Sequence, residues 1–344
     1  MIIYPEKIKS GYVIGTTATS NGVRSEKNVI KLDNALKNLK ELGFNGIETK
    51  NTRTLYKISS SDGKTRAKEF MELWKNKDVK WIIATRGGEF LIEMLPYLDR
   101  DTIINNTCKW VQGFSDTSLL LHYLTTNFNI ATAHAENIGD FAMRKLDKSL
   151  LKNIEILENC EESIQDSFEL YDNSEFETDD EKNEDYLAPY SLTEKVEYKH
   201  LYNKKEDKIQ GRMIGGCIDS ISQLMGTKLD NTINFCNQFE EGMLWYLENC
   251  ELKVQSLYRT LLQMKNNGWF ENASGFIFGR TASSEPLDDF TYEDVLHKIC
   301  DDFNVPVIYD VDVGHIAPQW TIINGAYGEF EYNNGKGKIK QKMI

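Results

Sequence analysis

The sequence has little of what an extracellular, membrane-spanning or nucleic-acid-binding protein needs. Its six cysteines are scattered without a C-x-x-C pair, which fits a reducing compartment and is a weak signal for a metal or disulfide framework. No apolar run approaches the roughly 18 residues of a membrane-spanning helix, and Glu6, Lys7 and Lys9 stand where a signal peptide would be apolar. The chain has 40 basic and 53 acidic residues, whereas phosphate binding needs clustered Lys and Arg. We therefore expect a cytoplasmic protein with no nucleic-acid or membrane partner.

Enough apolar residues are present to build two folded domains in 344 residues, since 40% are hydrophobic and 11% aromatic. Strand-like and helix-like segments alternate over residues 1–160, which predicts an α/β domain with a parallel, helix-covered sheet. A second pattern begins near residue 209 and runs to 344. The segment 161–208 between them is interpreted as an acidic linker or loop.

The linker is unusually acidic, because residues 161–185 contain twelve acidic side chains and one lysine. Repulsion at that density disfavours a packed element, so we expect an exposed segment without a catalytic group. A mobile flap over a site is the alternative interpretation.

The strongest chemical feature of the sequence is Gly113-Phe114-Ser115-Asp116, where an apolar strand runs through small residues into a helix. This context is typical of a nucleophile elbow, which lifts a serine hydroxyl above the sheet edge. Thr117 stands where such motifs have their last glycine. The competing interpretation makes Ser115 an ordinary helix N-cap.

A serine nucleophile needs a base and an acid that orients the base. Among five histidines, His134 follows a short strand and is one candidate base. The other, His315, follows a buried strand and lies in a loop beside Gly314, while Glu248 ends the apolar strand 243–247. Together with Ser115 they give the order Ser, Glu, His known from other hydrolase folds. Alternatively, His315 could bind a metal with Asp310 and Asp312.

A glycine pair, Gly87-Gly88, follows Arg86 and the predicted strand 79–85. The pair permits close approach of the backbone to a ligand, so the N–H of Gly88 is a candidate oxyanion donor. An ordinary tight turn would use the same residues.

These segments together resemble the LD-carboxypeptidase family of serine peptidases, and within it the branch that contains the microcin C immunity proteins. The resembling segments follow one another in order along residues 7–330. They are Ile14-Gly15-Thr16-Thr17-Ala18-Thr19-Ser20, Arg86-Gly87-Gly88, Glu93-Met94-Leu95-Pro96-Tyr97-Leu98-Asp99, Gly113-Phe114-Ser115-Asp116-Thr117, Gly211-Arg212-Met213-Ile214-Gly215-Gly216-Cys217, Gly275-Phe276-Ile277-Phe278-Gly279-Arg280 and Asp312-Val313-Gly314-His315.

The resemblance implies a flavodoxin-like N-terminal domain, a C-terminal domain with a swivelling β/α/β or barrel-like core, a homodimer, and neither metal nor cofactor. It implies that Ser115 is the nucleophile, His315 the general base and Glu248 its orienting acid. The implied oxyanion hole consists of the backbone N–H groups of Gly88 and Asp116. The residues expected to bind substrate are Arg86, Gly216, Cys217 and Arg280.

Two departures from the family bear on the substrate. Ala133-His134-Ala135-Glu136-Asn137 stands where a Gly-Pro pair is usual, and residues 186–210 contain tyrosines where the microcin branch has tryptophans that stack on a nucleotide. We expect hydrolysis of an amide next to a carboxylate-bearing residue, in a peptidyl- or aminoacyl-nucleotide of the microcin type. A murein LD-carboxypeptidase is the alternative, and a non-catalytic ligand-binding protein is a more distant one.

Overall fold

The computed structural model describes residues 1–173 and 185–344, so the middle of the acidic segment lies outside the described residues. The strands are β1 (Val13–Thr17), β2 (Asn45–Glu48), β3 (Val79–Ala84), β4 (Trp110–Gly113), β5 (Thr132–His134), β6 (Glu162–Asp166), β7 (Leu170–Asp172), β8 (Leu192–Lys195), β9 (Lys199–His200), β10 (Glu206–Cys217), β11 (Met243–Glu248), β12 (Ala273–Gly279), β13 (Val307–Val311), β14 (Ile322–Asn324), β15 (Tyr327–Asn333) and β16 (Lys336–Lys342). The α-helices are α1 (Glu26–Glu41), α2 (Gly63–Lys75), α3 (Arg100–Asn105), α4 (Thr117–Phe128), α5 (Lys148–Asn159), α6 (Ile218–Ile221), α7 (Thr232–Cys236), α8 (Val254–Asn266) and α9 (Tyr292–Cys300).

The first sheet has the strand order β14-β5-β4-β3-β1-β2. Its first five strands in the chain pair in parallel, and their order 2-1-3-4-5 is that of flavodoxin-like folds, as predicted. The sequence did not suggest the sixth strand: β14 comes from near the C-terminus and pairs antiparallel with β5.

The helices of this half begin and end where local chemistry favours it. Ser25 caps α1 by accepting from the backbone N–H of Asn28, and Asp62 caps α2 in the same way. Helix α1 buries one apolar face against the sheet, whereas α4, which follows Ser115, is buried on all sides from Thr117 to Thr126. Among the described residues, no helix is both long and apolar enough to cross a membrane.

The second sheet is mixed and has the order β6-β16-β15-β10-β11-β12-β13-β9. Strands β10 to β13 are parallel, and β15 and β16 form a hairpin whose turn is Asn334-Gly335. The sheet has two free edges, β6 and β9, so the described strands form an open sheet. Of the two expectations for this domain, a β/α/β core or a barrel-like one, the closed barrel is not found in them. Together the sheets give the mixed α/β architecture that we expected.

The expectation that the acidic segment lacks packed elements was wrong for residues 170–172, which form β7 and pair with β8, and for residues 162–166. Residues 162–166 form β6 at the edge of the second sheet, opposite the lysine-rich strand β16. Lys340 pairs with Glu162 at 2.8 Å and Lys338 with Asp166 at 3.3 Å. Pairs of opposite charge across the two strands thus offset the repulsion among the acidic side chains, which the sequence of this segment alone does not show.

Candidate active site

A cavity of about 360 Å³ lies at the carboxyl edge of the first sheet. Its lining comes from the segments that follow β1, β3, β4 and β5, including Asn21, Arg86, Ser115 and Asn137. The second sheet contributes His315 to the same lining. A pocket at this edge is where open parallel sheets bind their ligands.

Ser115 lies on the sharp connection between β4 and α4. Its backbone has φ +60°, a conformation that a serine adopts only when its surroundings enforce it. The N-cap of α4 is Asp116, with no side-chain capping bond, so the interpretation of Ser115 as the N-cap was wrong. A Cβ atom on Gly87 would lie 2.6 Å from the Ser115 Oγ, so the glycine lets the backbone of this loop approach the hydroxyl.

Glu248 and His315 form a hydrogen-bonded pair, with Nδ1 of His315 2.8 Å from Oε2 of Glu248. Gly314 makes the approach possible: its φ is +103°, and a Cβ there would lie 2.7 Å from Oε2 of Glu248. The His315 ring also contacts Phe114 edge to face, with ring centroids 4.9 Å apart. His315 is thereby held on one side by a carboxylate and on the other by the neighbour of Ser115.

The pair is electrostatically coupled. Burial by itself would raise the pKa of Glu248, but the charge and hydrogen bond of His315 hold it below its ordinary value. Burial by itself would lower the pKa of His315. The nearby Glu248 carboxylate has the larger opposite effect, so the pKa of His315 lies above its ordinary value. An imidazole stabilised in its protonated form by a buried carboxylate is suited to accept a proton from a hydroxyl.

The proposed oxyanion donors, Gly88 and Asp116, belong to segments that flank Ser115. The side chain of Asp116 has a structural role that the sequence did not predict. Its buried carboxylate accepts a hydrogen bond from Ser20 Oγ at 2.5 Å and from the backbone N–H of Leu91 at 2.9 Å. These bonds fix the start of α4 relative to the loops after β1 and β3.

The residues expected to bind substrate do not all meet at the cavity. Arg86 lines it together with Ser115. Cys217 lies behind it beside Glu248, since the two residues are register partners at the ends of β10 and β11. Gly216 packs against α4, where a Cβ would lie 2.8 Å from Cβ of Ser118.

Arg280 points away from this cavity. Its guanidinium forms a 2.8 Å ion pair with Asp312 and stacks on the ring of Tyr171 at 4.0 Å. It lines a second cavity, of about 460 Å³, together with Lys195 and Lys199.

The suggested metal set of Asp310, Asp312 and His315 is not assembled. Asp312 pairs with Arg280, and Asp310 pairs with Lys199 at 3.0 Å. In residues 1–173 and 185–344, a different group of potential ligands is close enough to share an ion: Cys217, Glu248 and His315.

Two more side chains lie near the site: the buried His134, which the sequence left open as a candidate base, and the half-buried Asp219, which sequence reasoning missed. His134 ends β5, its Nδ1 lies 3.3 Å from Ser118 Oγ, and burial lowers its pKa to about 4. Asp219 accepts the backbone N–H groups of Cys250 and Glu251, which fixes the loop that follows Glu248. The sequence could have indicated Asp219, because this acidic residue lies two positions after the glycine-rich end of β10.

Comparisons with known proteins agree with this architecture. Residues 14–135 match the family model described as the LD-carboxypeptidase N-terminal domain, and residues 210–330 match the model of the LD-carboxypeptidase C-terminal domain. The microcin C7 self-immunity protein MccF of Escherichia coli is 26% identical over 319 residues, which cover 89% of this chain and 87% of that protein.

Two solved structures are similar along nearly their whole length. MccF in complex with aspartyl sulfamoyl adenosine has a TM-score of 0.81 at 23% identity and covers 99% of both chains. An MccF-like protein from Streptococcus pneumoniae in complex with AMP has a TM-score of 0.77 at 21% identity, over 96% of this chain and 99% of that one. The two matched domain models together span more than half of the sequence, and the chain therefore belongs to the LD-carboxypeptidase family.

Proposed function

We propose that the protein is a serine carboxypeptidase or amidohydrolase that cleaves an amide next to a carboxylate-bearing residue. Membership of the LD-carboxypeptidase family supports the serine peptidase class. The observation that carries the proposal is the arrangement of His315, which bonds Glu248 at 2.8 Å and lines the same cavity as Ser115.

In the proposed mechanism, Ser115 Oγ attacks the scissile carbonyl carbon while His315 accepts the hydroxyl proton. Glu248 orients the imidazole and stabilises the imidazolium that forms. The backbone N–H groups of Gly88 and Asp116 would stabilise the oxyanion, which an N–H at the start of α4 favours because the helix dipole is positive there. His315 then protonates the leaving nitrogen, and water attacks the acyl-enzyme by the reverse sequence of proton transfers.

We propose a substrate of the microcin type, an acidic residue joined to a nucleotide analogue. The support from similarity is the aspartyl sulfamoyl adenosine bound by MccF. In this chain, a neighbouring cavity lined by Tyr186 and Tyr190 shares Lys31 and Asp140 with the Ser115 cavity. Tyrosine rings beside the cavity offer faces on which a base can stack, with less area than tryptophan.

The experiment compares aspartyl sulfamoyl adenosine with a murein tetrapeptide and follows the products by mass spectrometry. We expect cleavage of the first, and a loss of turnover on the order of 10⁵-fold in Ser115→Ala. Ser118→Ala is the matched control, because it removes a buried hydroxyl from the first turn of α4, the helix that follows Ser115. Cleavage of the tetrapeptide alone would favour the murein carboxypeptidase. Full activity in Ser115→Ala would remove the serine mechanism.

Binding without cleavage of either compound would favour the ligand-binding alternative. Tight binding by the wild-type protein, measured by calorimetry, together with the absence of products after prolonged incubation, is the pattern that this alternative predicts.

We also propose a homodimer, on the resemblance to the family. Light scattering over a concentration series should give about twice the chain mass of 39.6 kDa. A mass equal to that of one chain at every concentration would contradict the proposal.

A further inference from the structure

Three side chains that suit a soft or borderline metal ion converge behind the Ser115 cavity. The parallel register of β10 and β11 sets Cys217 directly beside Glu248, and the loop after β13 brings His315 to both. One donor atom from each residue lies within 4.8 Å of the others. Cys217 and Glu248 are each only 1% exposed, so the group is enclosed.

The chemistry of the donors favours one kind of ion. A thiolate, an imidazole and a carboxylate are the usual ligands of Zn²⁺, whereas Mg²⁺ and Ca²⁺ bind oxygen ligands. Ligand atoms around tetrahedral zinc lie about 3.4–3.6 Å apart, from bond lengths of about 2.0–2.3 Å. Because the three donor atoms already lie within 4.8 Å of one another, no pair would have to close by more than roughly 1.4 Å to reach this geometry.

A second observation also points to a ligand. The other carboxylate oxygen of Glu248, Oε1, is buried and accepts no hydrogen bond of normal geometry in the part of the chain that the structure describes, and the Cys217 thiol is the carboxylate's other polar neighbour. Such an oxygen carries a desolvation cost that a cation would remove. A divalent ion with one thiolate and one carboxylate gives zero net charge, which suits an enclosed site.

We propose that Cys217, Glu248 and His315 bind a zinc ion and that this ion inhibits the hydrolase. On binding, the Cys217 thiol releases its proton to solvent, the Nδ1 proton of His315 is replaced by a proton on Nε2, and the freed Nδ1 lone pair goes to the metal. His315 can then no longer accept the proton of Ser115. The inhibition rests on the proposed function, whereas the binding site does not.

The test uses the full-length protein, stripped with a chelator and titrated with Co²⁺ as a spectroscopic substitute for Zn²⁺. We expect one equivalent to bind with a near-ultraviolet thiolate-to-cobalt charge-transfer band, and equimolar Zn²⁺ to displace it. Cys217→Ser and His315→Gln should each weaken binding by at least roughly 100-fold. Cys250→Ser is the matched control, because Cys250 lines the Ser115 cavity but lies outside the ligand group. Circular dichroism confirms that each variant is folded.

The expected activity result is loss of wild-type turnover on addition of one equivalent of Zn²⁺ and recovery with EDTA. A charge-transfer band that is absent, or that disappears in Cys250→Ser but persists in Cys217→Ser, would overturn the site. Full turnover by zinc-loaded protein would overturn the inhibition. If the stripped protein cleaves neither substrate, the proposed function fails, and the cobalt spectra still decide the metal site.

Discussion

Two buried ion pairs join neighbouring strands of the second sheet to the same segment, residues 310–315, and they differ in how completely they are bonded. Asp312 accepts hydrogen bonds from Arg280, from the hydroxyl of Tyr198 at 2.6 Å and from the backbone N–H of Phe168 at 2.8 Å. Glu248 has one oxygen bonded to His315, and the other accepts no hydrogen bond of normal geometry in the described chain.

This difference shows that burial and charge alone do not distinguish an ion pair with a catalytic role from one that only stabilises the fold. Both oxygens of Asp312 accept hydrogen bonds from protein donors, although Nη1 of Arg280 has no partner in the described chain. A carboxylate bonded in this way is what a pair that only holds the fold requires. The Glu248–His315 pair presents its imidazole to a cavity that also contains Ser115. Incomplete bonding next to a nucleophile is the better sign of chemistry, and four variants test this contrast.

The largest expected effect is that of Glu248→Gln on catalysis. The substitution keeps the shape of the side chain but removes the charge that stabilises the His315 imidazolium. We expect kcat to fall on the order of 10⁴-fold, as for the corresponding acid of other triads, with the thermal midpoint little changed. Steady-state kinetics with aspartyl sulfamoyl adenosine measures it, and a loss below tenfold would contradict the orienting role.

The second prediction concerns the other pair and is a loss of stability. Arg280→Met leaves Asp312 buried without its cation, which should cost about 3–5 kcal/mol of unfolding free energy. Chemical denaturation measures that loss, and turnover of the folded protein should change far less than in Glu248→Gln. A large loss of kcat without destabilisation would instead place Arg280 in substrate binding, as the sequence suggested.

A buried carboxyl with no partner extends the comparison. Glu136 is buried, both of its oxygens are without hydrogen-bond partners in the described chain, and burial raises its pKa from 4.5 to about 8. Between these pH values the folded state keeps a proton that the unfolded state releases, so stability falls as pH rises through this window. Glu136→Gln should therefore be more stable than wild type above pH 8, by up to roughly 5 kcal/mol.

The measurement is the thermal midpoint of Glu136→Gln and wild type across pH 4.5 to 8.5. The difference in thermal midpoint between the variant and wild type should be small at pH 4.5 and increase towards pH 8.5. A difference that is independent of pH would show that Glu136 does not titrate in this range.

The smallest expected effect comes from Gly87→Ala. The added methyl would lie 2.6 Å from the Ser115 hydroxyl and must displace it. We expect kcat to fall by roughly 10–100-fold, because a small misplacement of a reacting group is costly. Gly139→Ala is the control, since a Cβ there meets nothing within 4 Å in the same cavity lining. Equal kcat in both variants would mean that Ser115 tolerates displacement.

The sequence predicted much of the fold and part of the site, because the carboxyl ends of parallel strands meet at one edge. The predicted strands near Ser115 and Glu248 are present with ends shifted by at most two residues. It follows from those ends that Glu248 meets His315 and that His315 lines the same cavity as Ser115.

Other features could not be predicted because they depend on registers between distant segments. The register of β12 against β13 shifts between Ile277 and Gly279, and such an irregularity redirects the side chains that follow it. That is why Arg280 turns towards Asp312. The lysines that stabilise β6 are on β16, more than 160 residues away along the chain, so no local reading of the acidic segment could find them.

The last strand of the first sheet has a consequence for how the protein is made. Asn324 in β14 bonds Thr132 in β5, a separation of 192 residues along the chain. The first sheet therefore stays incomplete on the ribosome until almost the entire protein has been synthesised, with the edge of β5 uncovered. Such long-range closure is slow, and exposed sheet edges pair with other chains. Nascent chains halted before residue 322 should thus be the species that most needs a chaperone.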